Sequence, residues 1–95
     1  MAAYLIAHAK VKQPDRMPEY SSKAGPTIIA HGGTLVARGK VAEVLAGSHD
    51  GNVTLVAKFP DVATAHAWYH SSEYQAIIPL RDEVMDANFV VIEEP

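Results

Sequence analysis

The sequence has no cysteine. That one absence removes disulfides, thiolate catalysis and cysteine-held metals together, and it fits a reducing compartment. Positive charge is also short: eight Lys and Arg stand against eleven Asp and Glu, for a formal net charge of −3. No basic footprint argues for nucleic acid, and the mild cluster Lys10, Lys12 and Arg16 reads as a solvated strand end. No apolar run approaches the roughly 20 residues that span a bilayer, so no membrane partner is expected. The first ten residues carry no basic segment ahead of their apolar stretch. A signal peptide is therefore not expected, and the cytoplasm is the default location. Nucleotide-loop and nucleophile-elbow patterns are missing as well. Gly32-Gly33 leads from a helix into a strand, the reverse of the order a phosphate loop requires.

What is present describes a small globular chain. Ninety-five residues make one domain, 1–95. At that length a fold buries only about 60–65% of its unfolded surface, so its core is thin. With 48% hydrophobic and 20% charged residues, the chain is neither disordered nor fibrous.

Residues 3–11 read as a first strand whose two faces, Tyr4/Ile6/His8/Lys10 and Leu5/Ala7/Ala9/Val11, both begin apolar. Pro14-Asp15 opens a helix, with Met17, Tyr20, Ala24, Ile28 and His31 as its buried stripe. Pro26 predicts a kink in its middle, and Gly32-Gly33 stops it. Residues 34–46 read as a second strand with a bulge at Gly39. Asp50-Gly51 then gives a tight turn into a third strand, Val53 to Phe59. Asp61 caps the next helix. Ser72-x-x-Gln75 has the form of a capping box, which predicts a break near Ser71 and a second short helix through Ile77. Pro79 bends the chain again before residues 80–83. Residues 86–93 are the last strand.

The order β-α-β-β-α-β is the ferredoxin-like arrangement, an α+β fold with an antiparallel four-stranded sheet. Right-handed crossovers place both helical segments on one side of the sheet. The other side is bare, with an area of about 400 Å² from ordinary strand spacings, near the largest apolar patch a monomer carries. Tyr4/Ile6 and Leu5/Ala7, like Phe89/Val91 and Val90/Ile92, are apolar on both faces. A second copy packed sheet against sheet is therefore expected, giving a homodimer through the open sheet face.

Several segments together resemble one family: Tyr4-Leu5-Ile6, Gly32-Gly33, Phe59-Pro60-Asp61, Trp68-Tyr69-His70-Ser71-Ser72-Glu73-Tyr74-Gln75 and Arg81. The chain is similar over its whole length to domain-of-unknown-function family 1330, and Trp-Tyr-x-Ser-x-Glu-Tyr-Gln is the most specific element. The resemblance implies a dimeric α+β barrel formed by two such sheets. It brings no settled activity, although cofactor-free monooxygenases, small isomerases and haem-dependent enzymes share the fold. Ala46 stands where the family commonly has an acidic residue before the glycine.

Two constellations carry candidate chemistry. His66 and His70 lie one helical turn apart but show only two ligands, so neither a metal nor a haem is expected, and no motif calls for another cofactor. Tyr20, Trp68, Tyr69 and Tyr74 could wall a crevice between helices and sheet. Arg38 or Arg81 would be an anion clamp there, and His8 or His70 a base. This reading is a small homodimeric protein binding a small aromatic or carboxylic molecule, with a cofactor-independent reaction as an extension. The alternative is a structural or interaction dimer with no ligand, in which Trp68 and Tyr69 are core and Arg81 pairs with Asp82, Asp86 or Glu73. A pocket of about 300 Å³ or more beside Trp68, Tyr20 and an arginine separates the first from a filled crevice with paired arginines.

Overall fold

A computed structural model describes residues 1–95. Four strands, β1 (Ala3–Val11), β2 (Thr34–Lys40), β3 (Val53–Phe59) and β4 (Met85–Glu93), form one sheet in the order β2-β3-β1-β4. Every neighbouring pair is antiparallel. Helix α1 (Met17–Ala30) connects β1 to β2, and α2 (Val62–Tyr69), α3 (Ser72–Gln75) and α4 (Ile78–Val84) connect β3 to β4. This is the ferredoxin-like α+β fold. No helix is long and apolar enough to cross a membrane.

Strand β1 shows why the helices gather on one face. Ala3, Leu5, Ala7 and Ala9 are buried, while Tyr4, Ile6 and His8 between them are half-buried. Strand side chains alternate with period two, so the buried set faces the helices and the other set faces outward. Leu5, Ala57 and Phe59 from the sheet meet Ala24 and Ile28 of α1, Ala65 and Trp68 of α2, and Tyr74 of α3 in the main core cluster.

Helix α1 does not start at Pro14-Asp15. Pro14–Arg16 forms a 3₁₀ turn, and Arg16 is the residue before the helix, with no side-chain cap. At its other end the helix closes with a Schellman arrangement. Gly32 takes φ +84, its N–H reaching Ile29 O at 3.1 Å, and the Gly33 N–H reaches Ile28 O at 2.9 Å. Pro26 leaves the helix unbroken. It and Ser22, whose carbonyl loses its partner, are both exposed, so water can satisfy the orphaned group.

Three further expectations are corrected. The second strand ends at Lys40, opposite Val53 where β3 begins, so residues 42–51 have no strand to pair with and form a long connection rather than a tight hairpin. The bulge falls between Leu35 and Ala37, not at Gly39. The cap of α3 is Ser71, whose Oγ accepts the Tyr74 N–H at 3.2 Å, one residue before the expected Ser72. Asp61 does cap α2: its carboxylate accepts the Thr64 N–H at 2.7 Å and the Thr64 hydroxyl at 2.6 Å.

Candidate functional site

Small residues leave room between α1 and the sheet. Ala7 and Ala9 on β1 face Ala24 and Gly25 on α1, and the space they leave is a cavity of about 190 Å³. Fourteen of its seventeen lining residues are hydrophobic, and none is Asp, Glu, His or Lys. Trp68 and Tyr20 stand at its wall and Arg38 at its rim. Its mouth lies beside edge strand β2, which is exposed along its whole length. Leu35 and Ile29 at the mouth are 47% and 62% exposed. Past Met17, Ser21, Arg38 and Val53, which line both spaces, the cavity gives onto a polar basin bounded by Ser22, Lys40 and Asn52.

Trp68 is held from several sides. Its indole N–H donates to Thr27 Oγ1 at 3.0 Å, and that hydroxyl donates to Ala24 O at 2.6 Å. Its ring lies 4.5 Å from that of Tyr74, 5.7 Å from Phe59 and 6.4 Å from Phe89. The residue is 2% exposed, so it is a fixed wall rather than a mobile gate.

Behind that wall runs a hydrogen-bonded chain. The Tyr20 and Tyr74 hydroxyls are 2.8 Å apart, and Arg81 Nη1 donates to Tyr69 Oη at 3.1 Å and Tyr74 Oη at 3.4 Å. Arg81 Nε meets Asp82 at 3.2 Å, and the guanidinium carbon lies 5.1 Å from the Phe89 ring centroid. Burial raises the pKa of both Tyr20 and Tyr74 above the ordinary phenol value of 10.0. Burial alone would lower Arg81, but the Tyr69 and Tyr74 hydroxyls outweigh it, so the guanidinium stays charged.

A consequence is loss of stability in alkali. Above pH 10 the unfolded chain releases tyrosine protons that the fold retains. The folded state then binds more protons, and stability falls as pH rises. The expected slope is about 1.4 kcal/mol per pH unit for each tyrosine held neutral. Melting temperatures across this range check it, and Tyr20→Phe should flatten the curve.

The residues singled out in the sequence divide among three places. Tyr20, Trp68 and Arg38 meet at the cavity. Tyr69, His70 and Arg81 line a more open groove of about 450 Å³ on the other side of Trp68, between α2 and β4, together with His66. Tyr74 lies in the core between the two, fully buried. His8 joins neither. It sits on the open sheet face, its Nδ1 3.1 Å from Thr54 Oγ1 and 3.1 Å from His49 Nε2. Period two sends His8 outward with Tyr4 and Ile6, so it is not a base for the crevice. His70 is separated from the cavity by the Trp68 wall. The His66 and His70 rings are 4.3 Å apart, but no third His, Asp or Glu completes a metal-binding group. Sequence reasoning did not single out Ser21 and Lys40. The facing alanines, two residues apart on β1 and at Ala24 on α1, are the signal that could have located the cavity.

Solved structures resemble this one closely in backbone. A protein of unknown function from Rhodopseudomonas palustris superposes with TM-score 0.76 at 18% identity, covering 99% of this chain and 82% of that one. A dimeric ferredoxin-like protein of unknown function from Jannaschia sp. CCS1 gives TM-score 0.76 at 13% identity, covering 99% and 100%. SnoaB, a cofactor-independent oxygenase from Streptomyces nogalater, gives TM-score 0.74 at 8% identity, covering 99% and 93%. At these identities the likeness shows the fold alone. No protein of curated function matches by sequence. The Trp68–Gln75 stretch, the glycine pair and the fold agree with a profile match over residues 2–95, and the chain belongs to the family described as Domain of unknown function (DUF1330).

Proposed function

We propose that the protein is a homodimer, joined through its open sheet face, in which each subunit binds one small aromatic or carboxylic molecule in the cavity between α1 and the sheet. The observation that carries the ligand reading is the cavity itself. At about 190 Å³ it has the expected Trp68, Tyr20 and an arginine at its border but falls short of the roughly 300 Å³ set from the sequence as the mark of a ligand pocket. It still exceeds the roughly 150 Å³ that admits a benzene ring in an apolar protein interior. A single ring or a short branched chain is the fitting size. Arg81 is satisfied by Asp82 and two tyrosines, which leaves Arg38 as the clamp. A binding role suits the lining, because no carboxylate or imidazole borders the space to move a proton. The absence of cysteine suits a cytoplasmic setting.

The dimer reading rests on the outward residues. Ile6 lies at the centre of that face with Val56 and Val90 as its cross-strand partners, and Ile92 pairs with Tyr4 beside them. Val90 and Ile92 are 51% and 53% exposed in the single chain. The Jannaschia protein, described as dimeric, has the same fold and supports this arrangement.

Trp68 is the only tryptophan and stands on the cavity wall, so its emission reports occupancy. Titration with phenols and short aromatic acids is expected to shift that emission and raise the melting temperature. A broad panel that moves neither would sink the ligand reading. Sedimentation is expected to give a particle of twice 10.2 kDa, and Ile6→Asp to give a folded single chain. A wild-type monomer at micromolar concentration would rule out the dimer.

A further inference from the structure

Arg38 is the one arginine without a partner. Arg16 meets Glu19 at 3.2 Å and Glu83 at 3.5 Å, and Arg81 meets Asp82 at 3.2 Å. Arg38 makes no ion pair and no side-chain hydrogen bond, and neither does Lys40 two residues further along the same strand face. Both border the polar basin, whose lining includes no Asp or Glu although acids outnumber bases in the chain. Two more groups there are open to a ligand. Ser21 Oγ has no hydrogen-bond partner, and Asn52 uses only its Oδ1, accepting the Val11 N–H at 3.1 Å, so its amide N–H groups are free. Thus an apolar cavity opens, across Arg38, onto a basin rich in donors and free of negative charge.

We infer that the ligand is an anionic amphiphile, with its apolar body in the cavity and a carboxylate or phosphate in the basin against Arg38 and Lys40. This inference rests on the cavity being a ligand site and adds the ligand's charge and direction. The physical reason is that a guanidinium presents a planar fork that a carboxylate or phosphate can engage with two parallel bonds. Because Arg38 is already exposed and unpaired, binding breaks no internal ion pair. Ser21, Lys40 and Asn52 offer further donors and no acceptor carboxylate to repel the head. The apolar body supplies affinity by leaving water, and the head sets which end enters first.

The test uses matched probes on the full chain: 3-phenylpropionate, 2-phenylethyl phosphate and the neutral 3-phenylpropanol, measured by calorimetry at low and high salt. The acid and the phosphate are expected to bind roughly tenfold to hundredfold tighter than the alcohol, the range of a charge-assisted bond. Added salt should narrow that gap. In Arg38→Ala the preference for the acid should fall toward one, Arg38→Lys should retain part of it, and Lys40→Ala should reduce it less. Both residues are exposed and unpartnered, so the variants should melt with the wild type. Equal binding of acid and alcohol overturns the inference while leaving the cavity reading intact. A preference for the acid that survives Arg38→Ala combined with Lys40→Ala also overturns it, since the anion then sits elsewhere. If none of the three probes binds, the cavity reading falls and the inference with it.

Discussion

Replacing Trp68 with alanine is expected to remove about 3–5 kcal/mol of folding stability. The indole is 2% exposed and packs against Phe59, Tyr74 and Phe89 in the middle of the helix–sheet core. Truncation forfeits those contacts and the bond to Thr27. It also opens a hole that cannot collapse easily, because Trp68 is a shared wall of the cavity and the outer groove and its loss would join them. A chain of this length holds on the order of 5–14 kcal/mol in total, so the variant would stand near the edge of folding. At about 4–8 °C per kcal/mol the melting temperature should fall by more than about 12 °C. Trp68→Phe keeps a ring in place and should lose less. The comparison must be made at one chain concentration, since association in the proposed dimer would make stability depend on it. A loss under about 1 kcal/mol would contradict the packing described here.

Gly33→Ala is expected to destabilise the fold by about 1–3 kcal/mol, and for steric rather than conformational reasons. Gly33 is buried, and its φ is not among the positive ones. A methyl group there would lie 2.6 Å from Ile28 Cγ2 and 2.9 Å from the Phe59 ring. Neither neighbour can move freely: Ile28 anchors the last turn of α1 and Phe59 is fully buried. The usual gain of roughly 0.4–1 kcal/mol from restricting the unfolded chain works in the opposite direction and is smaller. Chemical denaturation of Gly33→Ala, alone and with Ile28→Ala, checks the cause. The alanine should cost less once Ile28 Cγ2 is gone. An unchanged cost in both backgrounds would assign the strain to Phe59 alone.

Much of the architecture could be read along the chain because it follows from local rules. β1, β3 and α2 came out at their expected places. Period-two alternation marks the two strands, and Asp61 with Phe59-Pro60 before it marks where β3 gives way to a helix. Gly32-Gly33 ended α1 because a left-handed residue is needed at that point. The misplaced features depend on distant partners. β2 stops at Lys40 because β3 supplies no residue opposite the following segment, and the bulge at Val36 reflects how β2 and β3 register. The Ser71 cap differs from Ser72 by one residue, within the ordinary uncertainty of helix boundaries.

The candidate site was less legible. The residue types were visible, but their grouping depends on which way each side chain points after folding. Strand parity turns His8 outward to Thr54 and His49. The Trp68 wall separates His70 and Arg81 from Tyr20. Asp82 and the tyrosines occupy Arg81, while Arg38 stays free at the rim.

By itself, then, the sequence determined the order of elements, that the helices share one side of the sheet and that the side left open is apolar, since periodicity, caps and crossover handedness are local or topological rules. Only the tertiary structure decided that Ala7, Ala9, Ala24 and Gly25 face one another across an empty space, and that Arg38 alone stands unpaired at its opening. Cavities and free charges are made by what neighbours fail to fill or neutralise, and those neighbours lie far apart along the chain.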